Sequence, residues 1–92
     1  MTNQILAGIQ ILPKGKETKA EEAYKKAVSV IEQSGLHFKK DNFEIVLEGN
    51  FEQVMRILEA IQLTSFNAGA DEILLNIKIH AKNGKDVKLN SQ

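Results

Sequence analysis

Over residues 5–12 the chain alternates, with Ile5, Ala7, Ile9 and Ile11 on one face and Leu6, Gly8, Gln10 and Leu12 on the other. This period of two predicts a strand that is apolar on both faces, and Pro13 followed by Lys14-Gly15 is expected to stop it. The period then lengthens. Ala20, Ala23, Tyr24, Ala27, Val28 and Ile31 fall at the spacing of an amphipathic helix, with Thr18 a suitable N-cap and Gly35 a suitable terminator. Residues 36–40 and 43–48 read as two short antiparallel strands joined at Asp41-Asn42, residue types that tolerate the positive φ of tight hairpins. A second helix opens after Gly49 with Asn50 as its cap. Phe51, Val54, Met55, Leu58 and Ile61 form its buried stripe, and it ends at Asn67-Ala68-Gly69. Ile57 at the flank and Leu63 outside the stripe give this helix more apolar surface than one sheet face covers. Glu72–His80 alternates again, Ile73, Leu75, Ile77 and Ile79 against Leu74, Asn76, Lys78 and His80, and predicts a fourth strand. Asn83-Gly84 is a strong hairpin signal, so Val87 and Leu89 are expected in a short returning fifth strand, with Asn90-Ser91-Gln92 loose beyond it.

Right-handed crossovers fold the order strand, helix, strand, strand, helix, strand into a four-stranded antiparallel sheet with both helices on one face. This is the ferredoxin-like α+β sandwich, βαββαβ, with the first and third strands central. Residues 1–92 are expected to form a single domain, with its core over 5–80 and a hairpin or tail over 81–92. The odd-numbered residues of strands one, three and four then meet the helices. The even-numbered ones line an open face.

Composition narrows the function classes. Ninety-two residues with 42% hydrophobic content support a core between one sheet and two helices. Twelve basic and twelve acidic side chains cancel, so no net field draws the chain to nucleic acid or to an anionic membrane. There is no cysteine, which excludes disulfides, thiolate metal ligation and cysteine catalysis and suits a reducing compartment. The opening Met1-Thr2-Asn3-Gln4 carries no basic segment, and no stretch approaches the roughly 20 apolar residues of a membrane span. A soluble, cytoplasmic protein is expected.

Motifs for catalysis are missing. Lys14-Gly15-Lys16 lacks the spacing of a phosphate-binding loop, and no nucleophile elbow is present. Glu44 and Glu48 lie four apart on one strand, about 13 Å by the strand rise, too far for a shared proton or a glycosidase pair. His37 and His80 fall on different edge strands without a third metal ligand. The chain is therefore not expected to be an enzyme. The open face mixes aliphatics with a few hydrogen-bonding groups, and Gly8 leaves a dip in its central strand. Gln10, Glu48 and Asn76 come from three adjacent strands and offer two amides and a carboxylate, a set that suits a heteroaromatic ring bearing an amino group. Each also has a plainer reading: Glu48 as a solvated strand end, Gln10 and Asn76 as ordinary solvent-side polar residues. Lys39, Lys40, Lys82, Lys85 and Lys88 read as edge charges that discourage aggregation.

Five short pieces stand in register: Ile9-Gln10-Ile11-Leu12-Pro13-Lys14-Gly15, Ser34-Gly35-Leu36, Leu47-Glu48-Gly49, Asn67-Ala68-Gly69-Ala70-Asp71 and Asn76-Ile77-Lys78-Ile79. In order and spacing, over residues 5–80, the chain resembles the thiamine-binding protein family, a former domain of unknown function. The resemblance implies a ferredoxin-like subunit that assembles through its sheets into a homo-dimer or tetramer and binds thiamine or hydroxymethylpyrimidine without turning it over. No cofactor is implied. Glu48 stands where that family has the acidic residue closing its third strand, and is the expected ligand to the aminopyrimidine. Asn76 matches the fourth-strand motif, Gln10 joins them by its facing, and Val46 and Leu74 are expected to contact the flat face of the ring. Family members commonly carry a glycine- and threonine-rich stretch entering the third strand, where this chain has Asp41-Asn42-Phe43-Glu44-Ile45. The alternative expectation is an interaction or oligomerisation module that has lost small-molecule binding.

Overall fold

The computed structural model describes residues 3–89, and the expectation for Asn90-Ser91-Gln92 lies outside them. The elements follow as β1 (Gln4–Lys14), α1 (Glu17–Glu32), β2 (Phe38–Lys40), β3 (Ile45–Asn50), α2 (Phe51–Asn67) and β4 (Glu72–His80). All strands join one antiparallel sheet in the order β2-β3-β1-β4. With β1 and β3 central, this is the ferredoxin-like sandwich. The odd-numbered positions fill its core: Ile5, Ala7, Ile9 and Ile11 of β1 and Ile45 and Leu47 of β3 pack with Ala27, Val28 and Ile31 of α1 and Val54, Leu58 and Ile61 of α2. Burying one such side chain contributes roughly 1.5 to 3 kcal/mol, so the alternation that defined the strands also supplies most of what holds the helices down.

The second helix starts as its sequence asks. The Asn50 side chain accepts from the Gln53 backbone N–H at 2.8 Å while the Gln53 side chain accepts from the Asn50 N–H at 2.9 Å, a reciprocal capping box. Ser65, buried on this helix, donates its hydroxyl to the Ile61 carbonyl at 2.8 Å. Phe51, expected in the buried stripe, is instead exposed as the first helical residue.

Several boundaries depart from the sequence expectation. β1 runs through Pro13 to Lys14 rather than stopping before it. β3 pairs with β1 only as far as Ile9, so from Gln10 onward β1 is an edge on that side, where a proline's missing donor leaves no partner unsatisfied. Helix α1 begins earlier than Thr18 would set it: Lys16 occupies the cap position with no side-chain cap bond, and its carbonyl accepts from the Ala20 N–H at 2.8 Å. The β2–β3 connection is not a two-residue turn at positive φ. Asp41 Oδ1 accepts from the N–H groups of Phe43 (2.9 Å) and Glu44 (3.3 Å), and the Asp41 N–H donates to the Glu44 carbonyl at 3.0 Å. This side-chain-bridged loop uses ordinary backbone angles, delays β3 to Ile45 and leaves Phe43 80% exposed.

The fifth strand is the largest correction. The chain does turn back at Gly84, whose φ of +73° favours glycine, but beyond a single bridge between Lys82 and Lys85 no strand follows among the described residues. Instead the tail is pinned at separate points. Asp86 Oδ1 accepts from the Gln4 N–H at 2.8 Å and from the Asn3 side chain at 3.3 Å, the Val87 N–H donates to the Gln4 carbonyl at 2.9 Å, and the Leu89 N–H donates to Glu48 Oε1 at 3.0 Å. Val87 is buried. The tail is a strap over one end of the sheet.

Candidate functional site

The register of the strands sorts the open face into cross-strand rows. Glu48, Leu6 and His80 are level; then Val46, Gly8 and Lys78; then Gln10 and Asn76; then Leu12 and Leu74. Glu44 stands one residue before β3, and the same register carries it level with Gln10. The third row therefore reads Glu44, Gln10, Asn76.

This arrangement divides the expected site residues. Gln10 and Asn76 do come together: Asn76 Nδ2 donates to Gln10 Oε1 at 2.8 Å. That bond leaves the Gln10 amide N–H groups and the Asn76 carbonyl without another partner among the described residues, one donor group and one acceptor side by side. Glu48 does not join them. It lies four residues away along the strands, roughly 13 Å, and two strand spacings, about 10 Å, across from Asn76. A single six-membered ring cannot reach both. Its side chain is also engaged: the Leu89 N–H bonds to it, and His37 Nδ1 stands 3.6 Å from Oε1, an ion pair when the imidazole is protonated. Leu74 pairs with Leu12 at the far end of the face, away from Val46, which sits beside Gly8.

The carboxylate that does accompany the two amides is Glu44. It leans over Gly8: a Cβ built on that glycine would lie 2.8 Å from Oε1 and 3.1 Å from the carboxyl carbon. The absent side chain lets the carboxylate lie close over the sheet. The Glu44 side chain is 28% exposed, and its nearest cation is Lys78, with Nζ at 3.8 Å and 85% exposed. A pair with so exposed a partner is weak. No described residue donates a hydrogen bond to the carboxylate, so its acceptor capacity is open to an incoming group.

Glu44 also forms the wall common to two hollows. One, of about 200 Å³, is lined by Leu6, Gly8, Val46, Lys78, Ile79 and His80. The other, of about 180 Å³, opens where β1 loses β3 as a neighbour, between Gln10, Leu12, Tyr24 and the loop from Lys40 to Phe43. Sequence reasoning placed Glu44 on the open face and read it, with Phe43, as an obstacle to a ligand rather than as a ligand-binding residue. The antiparallel register supplies the signal, since pairing Gln4 with Asn50 carries Glu44 level with Gln10. Among the described residues no group of three or more His, Cys, Asp or Glu side chains is placed to hold a metal, and no helix is long and apolar enough to cross a membrane.

Comparison with known proteins gives this geometry a family. The family model for thiamine-binding protein matches residues 7–92. The chain belongs to the thiamine-binding protein family. A relative in Clostridium perfringens, a UPF0045 protein, is 28% identical over 76 residues, covering 83% of this chain and 80% of its own length. A solved Bacillus cereus structure of domain of unknown function 77 superposes with a TM-score of 0.89 at 27% identity, covering 97% of this chain and 86% of that one. A Thermotoga maritima structure, provisionally assigned to thiamine biosynthesis or salvage, superposes with a TM-score of 0.79 at 19% identity over 91% of this chain and 89% of that one. At that identity the likeness is one of fold.

Proposed function

We propose that this chain binds thiamine or a related aminopyrimidine on the open face of its sheet, as a homo-oligomer and without catalysing a reaction. The observation that carries this reading is the row Glu44, Gln10, Asn76, with the Glu44 carboxylate lying over Gly8 between two hollows. An aminopyrimidine presents an amino donor beside ring-nitrogen acceptors, and the row presents a carboxylate acceptor, amide donors and an amide carbonyl. Thiamine adds a permanently cationic thiazolium ring on a one-carbon link. Two adjoining hollows with a shared carboxylate wall suit two linked rings, one of them positive, and the ligand's charge would take the place Lys78 holds loosely. Membership of the thiamine-binding family supports the ligand class, and the Thermotoga maritima neighbour is consistent with it.

The test is isothermal titration of the protein with thiamine and with hydroxymethylpyrimidine, repeated on Glu44→Gln. Saturable binding weakened by about 1 to 3 kcal/mol in the variant is expected, the range for loss of a charge-assisted hydrogen bond. No heat with either compound, from protein that is folded by circular dichroism, refutes the reading.

A second reading, an interaction module whose open face meets protein alone, is favoured by one observation. Leu12 and Leu74 face each other at the far end of the sheet and are 37% and 45% exposed. An apolar pair away from the polar row suits a protein cover more than a ring.

A further inference from the structure

The two hollows that share the Glu44 wall differ in chemistry. The one over Gly8 already sets two basic side chains, Lys78 and His80, against that single carboxylate. The other is bounded by Tyr24 of α1 and Phe43 of the β2–β3 loop, with Asp41 and Glu44 as its acids and Lys40 as its one base among the described residues. No phenyl or phenol ring among them lines the first hollow, and two line the second. The Lys40 charge is matched outside the hollow, by Glu32 of α1, with Nζ 3.3 Å from Oε2. Asp41 is fixed by the loop it builds. Its Oδ1 accepts from the Phe43 and Glu44 N–H groups, and these bonds hold its carboxyl below the ordinary aspartate range, so it is ionised at neutral pH. No lysine or arginine among the described residues stands within ion-pair distance of it. The same bonds hold the backbone of Phe43, whose side chain is 80% exposed and buries too little to stabilise the fold. Two aromatic rings beside two carboxylates attract a cation, because the ring faces carry negative potential. A hollow of about 180 Å³ falls below the roughly 300 to 1,000 Å³ of sites that take whole drug-sized molecules, and suits one small ring.

We propose that the hollow between Tyr24 and Phe43 is a subsite for a permanent organic cation, and that it takes the thiazolium ring of thiamine. The second half rests on the ligand reading above, and leaves the pyrimidine to the row Glu44, Gln10, Asn76. A ring cation that carries no N–H suits aromatic faces flanked by carboxylates, which attract charge without requiring a donated hydrogen bond. From this hollow the ligand's charge competes with Lys78 for Glu44, a pairing that at 3.8 Å is loose. The hollow over Gly8, with its own lysine and histidine, is the poorer place for a second positive charge. Asp41 and Phe43 both lie in the segment that stands in place of the glycine- and threonine-rich approach to the third strand, so the subsite is built from what distinguishes this chain.

The test compares three compounds by isothermal titration: thiamine; 3-deazathiamine, in which a neutral thiophene replaces the thiazolium at nearly the same shape; and hydroxymethylpyrimidine, which lacks the second ring. Phe43→Leu keeps an apolar side chain and removes the aromatic face. At 80% exposure the change leaves the fold intact, which circular dichroism checks. Wild-type protein should bind thiamine more tightly than 3-deazathiamine. Phe43→Leu should lower thiamine affinity by roughly 2- to 30-fold, the range of a cation–π contact, and leave hydroxymethylpyrimidine affinity unchanged. Tyr24→Leu should act in the same direction. Equal affinity of the wild type for thiamine and 3-deazathiamine overturns the cation subsite. Unchanged thiamine affinity in Phe43→Leu overturns it too, as does a Phe43→Leu variant that weakens hydroxymethylpyrimidine as much as thiamine; in each of these cases the ligand reading stands. Absence of heat from all three compounds with folded wild-type protein refutes the ligand reading itself, and the thiazolium subsite with it.

Discussion

Replacing Gly8 by alanine separates the fold from the site. Gly8 does not have a positive φ, so alanine meets no backbone penalty there. The new methyl would lie 2.8 Å from Glu44 Oε1, where ordinary contact begins at 3.4 Å. The carboxylate must therefore retreat by about 0.6 Å or turn to another rotamer. Glu44 is the far end of a flexible side chain whose nearest cation is the exposed Lys78, so yielding costs at most about a few tenths of a kcal/mol. Against this, alanine at a compatible position removes unfolded-state freedom worth about 0.4 to 1 kcal/mol. Stability should thus be unchanged or higher by up to about 1 kcal/mol, read from urea unfolding. Binding should suffer, because the methyl fills the floor of the hollow and displaces the acceptor. Loss of one charge-assisted hydrogen bond, about 1 to 3 kcal/mol, corresponds to roughly 5- to 150-fold in thiamine affinity by titration. Unchanged affinity in a stable variant would remove the Gly8–Glu44 hollow from the site. A stability loss above about 2 kcal/mol would show instead that the carboxylate cannot yield, against the reasoning from its loose pairing.

Glu48→Gln should lower stability by about 1 kcal/mol through a weaker bond to the Leu89 N–H while leaving thiamine affinity within about twofold, measured by unfolding and titration together. Asn50→Ala removes the capping box and should cost about 1 kcal/mol, seen as a lower urea midpoint with unchanged slope. Ile61→Ala, in the fully buried stripe of α2, should cost about 2 to 5 kcal/mol, and thermal melting would show it. Asp86 is held below the ordinary aspartate range by the Gln4 backbone N–H and then by the Asn3 side chain. A depressed carboxylate stabilises above its unfolded value and loses that contribution as pH falls through its folded one. The Asp86–Gln4 bond should therefore hold at neutral pH and weaken only below the ordinary aspartate range, with the Gln4 amide exchange rate as the readout.

The fold was legible because each element carried one period and the periods did not conflict. Ile5, Ala7, Ile9 and Ile11 read as an inward face and are one; Asn50 and Gln53 read as a helix start and form a capping box. What failed to show were features set by neighbours. Pro13 breaks a strand only where both sides are paired, and whether β3 reaches that far depends on the loop before it. That loop is not legible because Asp41 can make a tight turn or bridge to Phe43 and Glu44, and residue type does not choose between them. The tail escapes sequence reading for a related reason: Val87 and Leu89 alternate like a strand, but their partners, Gln4 and Glu48, are too far away in sequence for a local pattern to reveal.

The site followed the same rule one level up. Two amides and a carboxylate were expected on the open face; a row of that composition is present, and Gln10 and Asn76 are the amides that meet. The carboxylate differs because choosing between Glu44 and Glu48 is a question of register, and both have the parity of the open face. Pairing Ile9 with Ile45 decides it: Glu44 falls level with the amides, and Glu48 falls at the end the strap covers. The loop that delays β3 thus has a chemical consequence. Once Asp41 holds the turn, Glu44 is the last residue before the ladder begins, outside the strand yet level with Gln10, and the glycine opposite Val46 leaves its carboxylate room to lie over the sheet. Under the proposed reading, the segment Asp41 to Ile45, which stands in place of the glycine- and threonine-rich approach to the third strand, is the one that brings an acid to the row.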